Sequence, residues 1–506
     1  MLEEIARSYL DELINRNMVQ VKEWGKFDRV KNCYVHDLLH KLSITKAKEE
    51  ISFEILRQDK SQHLDKPRHR AIYYGTESFI HSTNTRLRSI FVHGAGKVDD
   101  SPSYWESFGL LKVLDFEDFD LKNLPDTIGA LTWLRYLGLR NTNIKELPSS
   151  LGRLINLEVL DIAKNNGMEV PNILWKMASL RHLYMSEIRC QLPLRIDTLN
   201  NLQTLTYVPA DNCALDHLAH MTGLSKLGIE LHLNSDARKL CTSLAMLENL
   251  VCLNLRGPTS RYTPSLGQLS LLRSLTQLKL DVYLTELPGP SNFPPNLSYL
   301  SLDETLLEED PMPVLQELPK LLYLIMRHAY SGEVMLISQG FRKLKVLSLR
   351  SLLGLRNIEV ERGAMPELKR LEIYKCPRLD SLPEEIRFMT SLQELKMVAT
   401  TEIASKLQGV DSHVISHIPS LNLIGIPYDA CIEIRERRFA EGVSRFITGY
   451  EDKVKAASSA ESSSAIGLQK GDTFVSRLRK LMKNKQPAGS GPSSSRETGK
   501  GYSIPV

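Results

Sequence analysis

The sequence has no run of about 18 apolar residues, the length a membrane-crossing helix requires, so no span is expected. Its opening stretch, MLEEIARSYLDELI, is acidic and amphipathic rather than basic and then apolar, so no secretory signal is expected either. An excess of one charge is lacking. The 64 Lys and Arg against 60 Asp and Glu leave +4, too balanced to imply a nucleic-acid partner. Paired cysteines are lacking as well. Cys33, Cys190, Cys213, Cys241, Cys252, Cys376 and Cys431 are scattered, odd in number and contain no C-x-x-C, which argues against a zinc site or a disulfide framework and fits a reducing compartment. A phosphate-cradling G-x-x-x-x-G-K-[ST] loop is absent. His182, His217, His220 and His232 lie near acids or serine, but without catalytic spacing. The i, i+3 pair His217 and His220 has no third ligand in a zinc pattern. Neither an enzymatic role nor a metal is expected.

Leucine at a fixed spacing is abundant. L-x-x-L-x-L, with Ile, Val, Met or an aromatic allowed, recurs at Leu134, Leu157, Leu180, Leu250, Leu275, Leu297, Leu344, Leu368 and Leu392, and less clearly at Leu87, Leu111, Leu202, Leu224, Leu321 and Leu421. Steps of 22 to 24 residues separate successive starts from 111 to 202 and from 321 to 392. That period, with Leu at i, i+3 and i+5, fits neither a 3.6-residue helix nor a heptad. It fits the leucine-rich repeat, in which x-L-x-L is a short strand with its leucines turned inward and the intervening residues turned out. One unit cannot bury its leucines alone, so units stack into a solenoid with a shared core and a parallel sheet on the concave face. The arcs repeat too: Leu124-Pro125 before Ile128-Gly129, Leu147-Pro148 before Leu151-Gly152, and Leu382-Pro383 before Ile386. The fold class read here is an α/β solenoid, a leucine-rich-repeat horseshoe over 61–430.

The two ends read differently. Residues 3–17 form an amphipathic helix, with Ile5, Tyr9, Leu10, Leu13 and Ile14 on one face. Met18–Val21 reads as a strand, Gly25-Lys26 as a turn and Lys31–Val35 as a returning strand. His36-Asp37 then opens a second helix. Helix, hairpin and helix make a small winged-helix-like α/β unit within 1–60. The tail, 431–506, holds a Ser/Ala-rich linker at 456–465 and a Gly/Ser/Pro-rich end. Between them, 472–485 (DTFVSRLRKLMKNK) reads as a basic amphipathic helix suited to peripheral contact with an acidic membrane surface or an acidic protein groove.

The segment EEIARSYLDELINRNMVQV…KNCYVHDLLHKLSITKAKEE resembles the end of the nucleotide-binding (NB-ARC) module of plant intracellular disease-resistance receptors of the coiled-coil class. Val35-His36-Asp37 is similar to their Met-His-Asp motif, with Val for Met. Leu111–Glu117 resembles their early-repeat signature. The resemblance implies that His36 contacts the terminal phosphate of ADP, an imidazole N–H being a suitable donor, and that Asp37 orders the helix start. It also implies ADP or ATP as cofactor only in a longer parent that supplies the phosphate loop, so the chain reads as a receptor fragment or a truncated form. A cytoplasmic location follows from the same resemblance.

The implied function is defence: the repeats recognise a pathogen effector or a guarded host protein and fold back on the nucleotide-binding module. Solvent-facing strand positions should carry the contact. Taking the second, fourth and sixth residues after each repeat start gives candidates that include Tyr136, Arg140, His182, Tyr184, Arg256, Tyr299, Tyr323, Arg327, Arg350, Arg370 and Tyr374. Tyr and Arg are the types enriched at binding hot spots. Three other readings compete. An extracellular receptor would need a signal peptide, cysteine caps and more than the single acceptor triplet Asn296-Leu297-Ser298. A ubiquitin-ligase adaptor would need a docking motif that does not stand out. A truncated regulator of another receptor would use the repeats alone.

Overall fold

The computed structural model describes residues 2–430, apart from 25–29, 57–65, 74–85, 95–104, 122, 190–193, 211–217, 219, 232–236 and 258–265, together with 504–505. The turn at Gly25-Lys26, the linker at 456–465 and the basic helix at 472–485 lie outside the described residues.

The N-terminal unit follows the order read from the sequence. Helix α1 (Leu2–Asn15) leads into strands β1 (Val19–Trp24) and β2 (Val30–Val35). These pair antiparallel, with Val19 opposite Val35. Helix α2 (Asp37–Ile51) follows. His36 is its N-cap, and its Nδ1 accepts the Leu38 N–H at 3.3 Å, filling one of the donors a helix start leaves open. Asp37 sits in the first turn, where its charge suits the helix dipole. Ser52 closes the helix in the left-handed conformation, φ 55°, and donates to Ala47 O.

From Phe53 onward the chain builds one parallel sheet of 17 strands. Its N-terminal strands are β3 (Phe53–Leu56), β4 (His69–Tyr73), β5 (Ser89–His93), β6 (Val113–Asp115), β7 (Tyr136–Gly138), β8 (Val159–Asp161) and β9 (His182–Tyr184). The central strands are β10 (Thr204–Pro209), β11 (Lys226–Glu230), β12 (Cys252–Arg256), β13 (Gln277–Asp281), β14 (Tyr299–Asp303) and β15 (Tyr323–Arg327). Then β16 (Val334–Ile337) and β18 (Asn357–Val360) pair with each other in the arcs, while β17 (Val346–Arg350), β19 (Arg370–Tyr374), β20 (Glu394–Thr400) and β21 (Ser420–Ile426) continue the main sheet. Among the described residues no pairing joins β3 to β21, so the ladder is open, as a solenoid requires.

The repeat spacing explains the register. Leu114, Leu137, Leu160 and Leu183 face one another across successive strands and are fully buried. Each such leucine contributes roughly 1.5–3 kcal/mol by leaving water, but only because the next unit covers it. The arc prolines act as read. Pro125, Pro148 and Pro383 stand at the N-cap of short 3₁₀ turns at Asp126–Ala130, Ser149–Arg153 and Glu384–Phe388, with φ of −69°, −69° and −59°. Those turns return Ile128, Leu151 and Ile386 to the core.

Side chains tie unit to unit as well. Four repeat starts are preceded by an asparagine that donates to a carbonyl one unit back: Asn156 to Thr132, Asn201 to Ala178, Asn249 to Thr222 and Asn296 to Arg273. Asn165, 1% exposed, donates to Leu139 O and accepts the Thr142 N–H, so buried backbone in the bend is satisfied.

Two details depart from the repeat pattern. The ladder begins at Phe53, within the segment read as part of the N-terminal unit, because Glu54 and Arg70 occupy the inward positions that leucine fills elsewhere. At the other end Leu421 does not start a repeat. It faces Leu395, the middle leucine of its unit, and buried Ile418 holds the starting position. Among the described residues no helix is long and apolar enough to cross a membrane.

Candidate functional site: the concave face of the sheet

Strand alternation leaves one row of side chains open on the concave face, and parallel register aligns them in columns. One column runs Glu230, Arg256, Asp281, Asp303, Arg327, Arg350 and Tyr374. Opposite charges in register attract across the strand gap. Arg256 lies 3.4 Å from both Glu230 and Asp281. Asp303, 5% exposed at its side chain, accepts both ends of the Arg327 guanidinium and lies 3.5 Å from the Lys279 ammonium. Arg350 holds Glu372 at 2.7 Å and stacks over Tyr374, 4.9 Å from the ring centre. Arg370 pairs with Glu394, which Lys396 approaches at 2.8 Å.

Burial shapes these groups. It raises the carboxyl pKa of Glu230 and Asp281, and the Asp303 charge pushes Asp281 further in that direction. Burial also acts to raise Glu394, but hydrogen bonds from Lys396 and Arg370 outweigh it and hold the group below its ordinary value.

The N-terminal stretch of the face is balanced differently. Arg140 lies 2.8 Å from Asp161 and 3.6 Å from Glu117, and Asp115 stands nearby. Burial is the largest cause raising the pKa of Asp115, Glu117 and Asp161, and repulsion among the acids adds to it. Tyr136, enclosed by the same acids, is pushed up as well, first by burial. Gly138 makes room here, since a Cβ would lie 2.2 Å from Asp115 Oδ1.

The residues singled out from the sequence therefore fall into groups. Tyr136 and Arg140 share the acidic stretch. His182 contacts Thr204 at 3.1 Å and stacks beside Tyr184. Tyr323 and Arg327 stand together on β15, and Arg350, Arg370 and Tyr374 form the C-terminal group. His36 lies apart, on the N-terminal unit. Tyr299 is a correction. It lies on the expected face but is only 3% exposed, its ring 6.3 Å from that of Tyr323, and burial pushes its hydroxyl up to about 12. It is packing, not open surface.

Sequence reasoning missed two kinds of residue. The acids that hold each arginine were left out because Tyr and Arg alone were sought, although Asp161, Glu230, Asp303, Glu372 and Glu394 occupy the same strand-facing positions. Tyr207 was missed because it is an extra residue. Register slips between Leu205 and Val208, with Tyr207 at φ 53°, a bulge. Gly228 permits it, since a Cβ there would lie 2.8 Å from Tyr207 N. The bulge brings the Tyr207 ring 4.0 Å from the Arg256 guanidinium. Among the described residues, no group of three or more His, Cys, Asp or Glu is placed to hold a metal.

Comparison with known proteins agrees with the repeat architecture and with the N-terminal unit. The model of a leucine-rich repeat region matches residues 86–378, and that of a disease resistance protein winged helix domain matches residues 1–43. A probable disease resistance RPP8-like protein 4 of Arabidopsis thaliana is 31% identical over 449 residues, which is 84% of this chain and 49% of that protein. Disease resistance protein RPM1 of the same plant is 34% identical over 445 residues, 83% of this chain and 47% of its own length. The chain thus spans about half the length of the curated relatives it matches. Among solved structures, a leucine-rich-repeat protein of Leptospira interrogans superposes with a TM-score of 0.42 at 18% identity, over 74% of this chain and 98% of its own.

Proposed function

The chain belongs to the leucine-rich-repeat disease-resistance proteins, and from that premise we propose that it is the sensing half of a plant defence receptor whose concave face recognises a protein, either a pathogen effector or a guarded host protein. One observation carries this reading. The face presents arginine side chains already held in place by cross-strand acids, from Arg140 to Arg370. Side chains fixed beforehand lose little entropy when a partner arrives. A partner surface of matching charge pattern can insert between them, whereas a mismatched one leaves a desolvated charge unpaired.

A nucleotide switch is a second element of the same reading. With Nδ1 accepting the Leu38 N–H, the neutral His36 ring carries its proton on Nε2, and His36 is exposed. The residues present thus fit a single donor to a phosphate oxygen of ADP. The phosphate loop would have to come from outside these 506 residues. Recognition on the sheet would then bias a two-state arrangement that nucleotide exchange also biases.

The test is a screen of purified effector proteins against the full chain by biolayer interferometry. For any binder, the double substitution Tyr323→Ala and Arg350→Ala should weaken Kd by about tenfold or more, since hot-spot truncations cost upward of 1 kcal/mol each. A binder indifferent to substitutions at Arg140, Arg256, Tyr323 and Arg350 alike would move recognition off the concave face.

A further inference from the structure

The strands of the main sheet enter along one flank of the solenoid, and the residue just before each strand lies on that edge. Backbone hydrogen bonds fix the stacking there: Arg88 N donates to Arg68 O, Lys112 N to Arg88 O, Arg135 N to Lys112 O and Glu158 N to Arg135 O, at 2.7–2.8 Å. Four cations therefore stand in a straight column, Arg68, Arg88, Lys112 and Arg135, one strand spacing of about 4.8 Å apart. All four are exposed. Among the described residues, Arg135 meets Glu158 at 3.1 Å, while no acid pairs with Arg68, Arg88 or Lys112. Their field is felt locally: His69 titrates below its ordinary value through burial first, then the charges of Arg88 and Arg68.

Like charges in register on neighbouring strands repel. On the concave face Arg327 and Arg350 also stand in register, but each is paired with an acid, Asp303 and Glu372, whereas among the described residues Arg68, Arg88 and Lys112 are not. Beside the column lie three apolar side chains turned to solvent: Leu110 at 50%, Trp133 at 57% and Ile155 at 57% exposure. Leu110 and Trp133 precede the starts of two consecutive units, and Ile155 precedes Asn156, whose side chain donates to the carbonyl of Thr132, the neighbour of Trp133. A row of cations interleaved with a solvent-facing indole and aliphatic side chains is the residue set that settles at a lipid–water boundary, the ring among headgroups and the cations on anionic lipid.

We propose that this flank, centred on Arg88, Lys112, Trp133 and Arg135, is a docking surface for an anionic membrane. Charge complementarity selects the occupant. Laterally mobile headgroups can meet four cations at strand spacing without a matched array of carboxylates, and the bilayer accepts Leu110, Trp133 and Ile155 at its edge. The flank is distinct from the concave face, so a chain docked this way keeps that face open to a protein partner.

Co-sedimentation of the full chain with vesicles of phosphatidylcholine, with and without phosphatidylserine, tests this. Binding is expected only with phosphatidylserine, falling as salt rises. Arg88→Gln with Lys112→Gln should weaken it about 25-fold, at about fivefold per cation near an anionic surface. Trp133→Ala should weaken it and abolish part of the blue shift of tryptophan fluorescence. Three results would overturn the proposal: no binding to phosphatidylserine vesicles at low salt; binding unchanged by the flank substitutions but lost on replacing Arg479, Lys480 and Lys483 of the tail; or binding of polyglutamate without binding of vesicles, which would make the occupant an acidic protein. Circular dichroism of each variant should match the parent, since all three substituted positions are exposed.

Discussion

Glu54 and Arg70 offer a sharp test of how the solenoid begins. Their side chains are 1% and 4% exposed, and Arg70 Nε donates to Glu54 Oε2 at 2.7 Å. Register puts the pair in one column with Ile90, Leu114 and Leu137, so a charge pair sits where every later unit places an aliphatic side chain. Replacing Arg70 by Ile removes the guanidinium 2.7 Å from the buried Glu54 carboxylate, a loss of roughly 3–5 kcal/mol. Glu54→Leu removes the carboxylate from the buried Arg70 guanidinium and should cost a similar amount. Making both changes removes two desolvated charges together and continues the aliphatic column, so the double variant should be within about 1 kcal/mol of the parent or more stable by up to about 4 kcal/mol. Because an end unit of a solenoid opens without unfolding the whole, the readout is hydrogen exchange of the β4 and β5 amides rather than the global transition. A coupling energy near zero in the double-mutant cycle, with the double variant as unprotected as the sum of the singles, would refute the reasoning.

Three further outcomes follow from the same structure. Tyr299→Ala should cost roughly 3–5 kcal/mol in urea denaturation, as loss of a buried aromatic does, whereas Tyr323→Ala should cost about 1 kcal/mol; equal values would mean that the two rings are equally packed. Gly228→Ala should lower stability by about 1–3 kcal/mol, because its Cβ meets Tyr207 N at 2.8 Å, and should shift the Arg256 side-chain resonances in NMR as the bulge is displaced. The raised carboxyl groups of Asp115, Glu117 and Asp161 bind protons more readily folded than unfolded, so their contribution to stability is greatest at acid pH and declines as pH rises through the folded values; Asp115→Asn should therefore stabilise the chain at neutral pH and have little effect near pH 3, measured by thermal melting at each pH.

How far the sequence could be read depends on whether a residue's role was set locally. Leucine spacing is local, and the repeat starts at Leu134, Leu157 and Leu392 each stand two residues ahead of a strand in the structure, and the helix, hairpin and helix ahead of them were legible as well. The open face was legible for the same reason, since alternation assigns Tyr323, Arg350 and Arg370 to one side of each strand. What depended on neighbours was not. Tyr299 is closed over by the residues beside it on the face, which no single repeat reveals. The first strands escaped notice because Glu54 and Arg70 erase the leucine signal in the two units they join. The Tyr207 bulge needed both the extra residue and the glycine opposite it.

The same contrast between paired and unpaired charge separates the two surfaces of the molecule by kind of recognition. On the concave face a partner meets arginines already satisfied, so binding exchanges one set of contacts for another and the net gain per ion pair is small. Its discrimination is large, because a partner that displaces Asp303 from Arg327 without supplying a carboxylate leaves a 5%-exposed acid with Lys279 alone; truncating one member of such a pair costs about 2–5 kcal/mol. On the flank, Arg88 and Lys112 carry no such obligation, so attraction there is long-ranged, weakly selective and screened by salt. Raising ionic strength should therefore loosen whatever the flank holds well before it loosens a partner seated on the concave face. Measuring the salt dependence of both interactions on one preparation would expose an error in this division: equal slopes would mean that both surfaces work by the same unpaired charge.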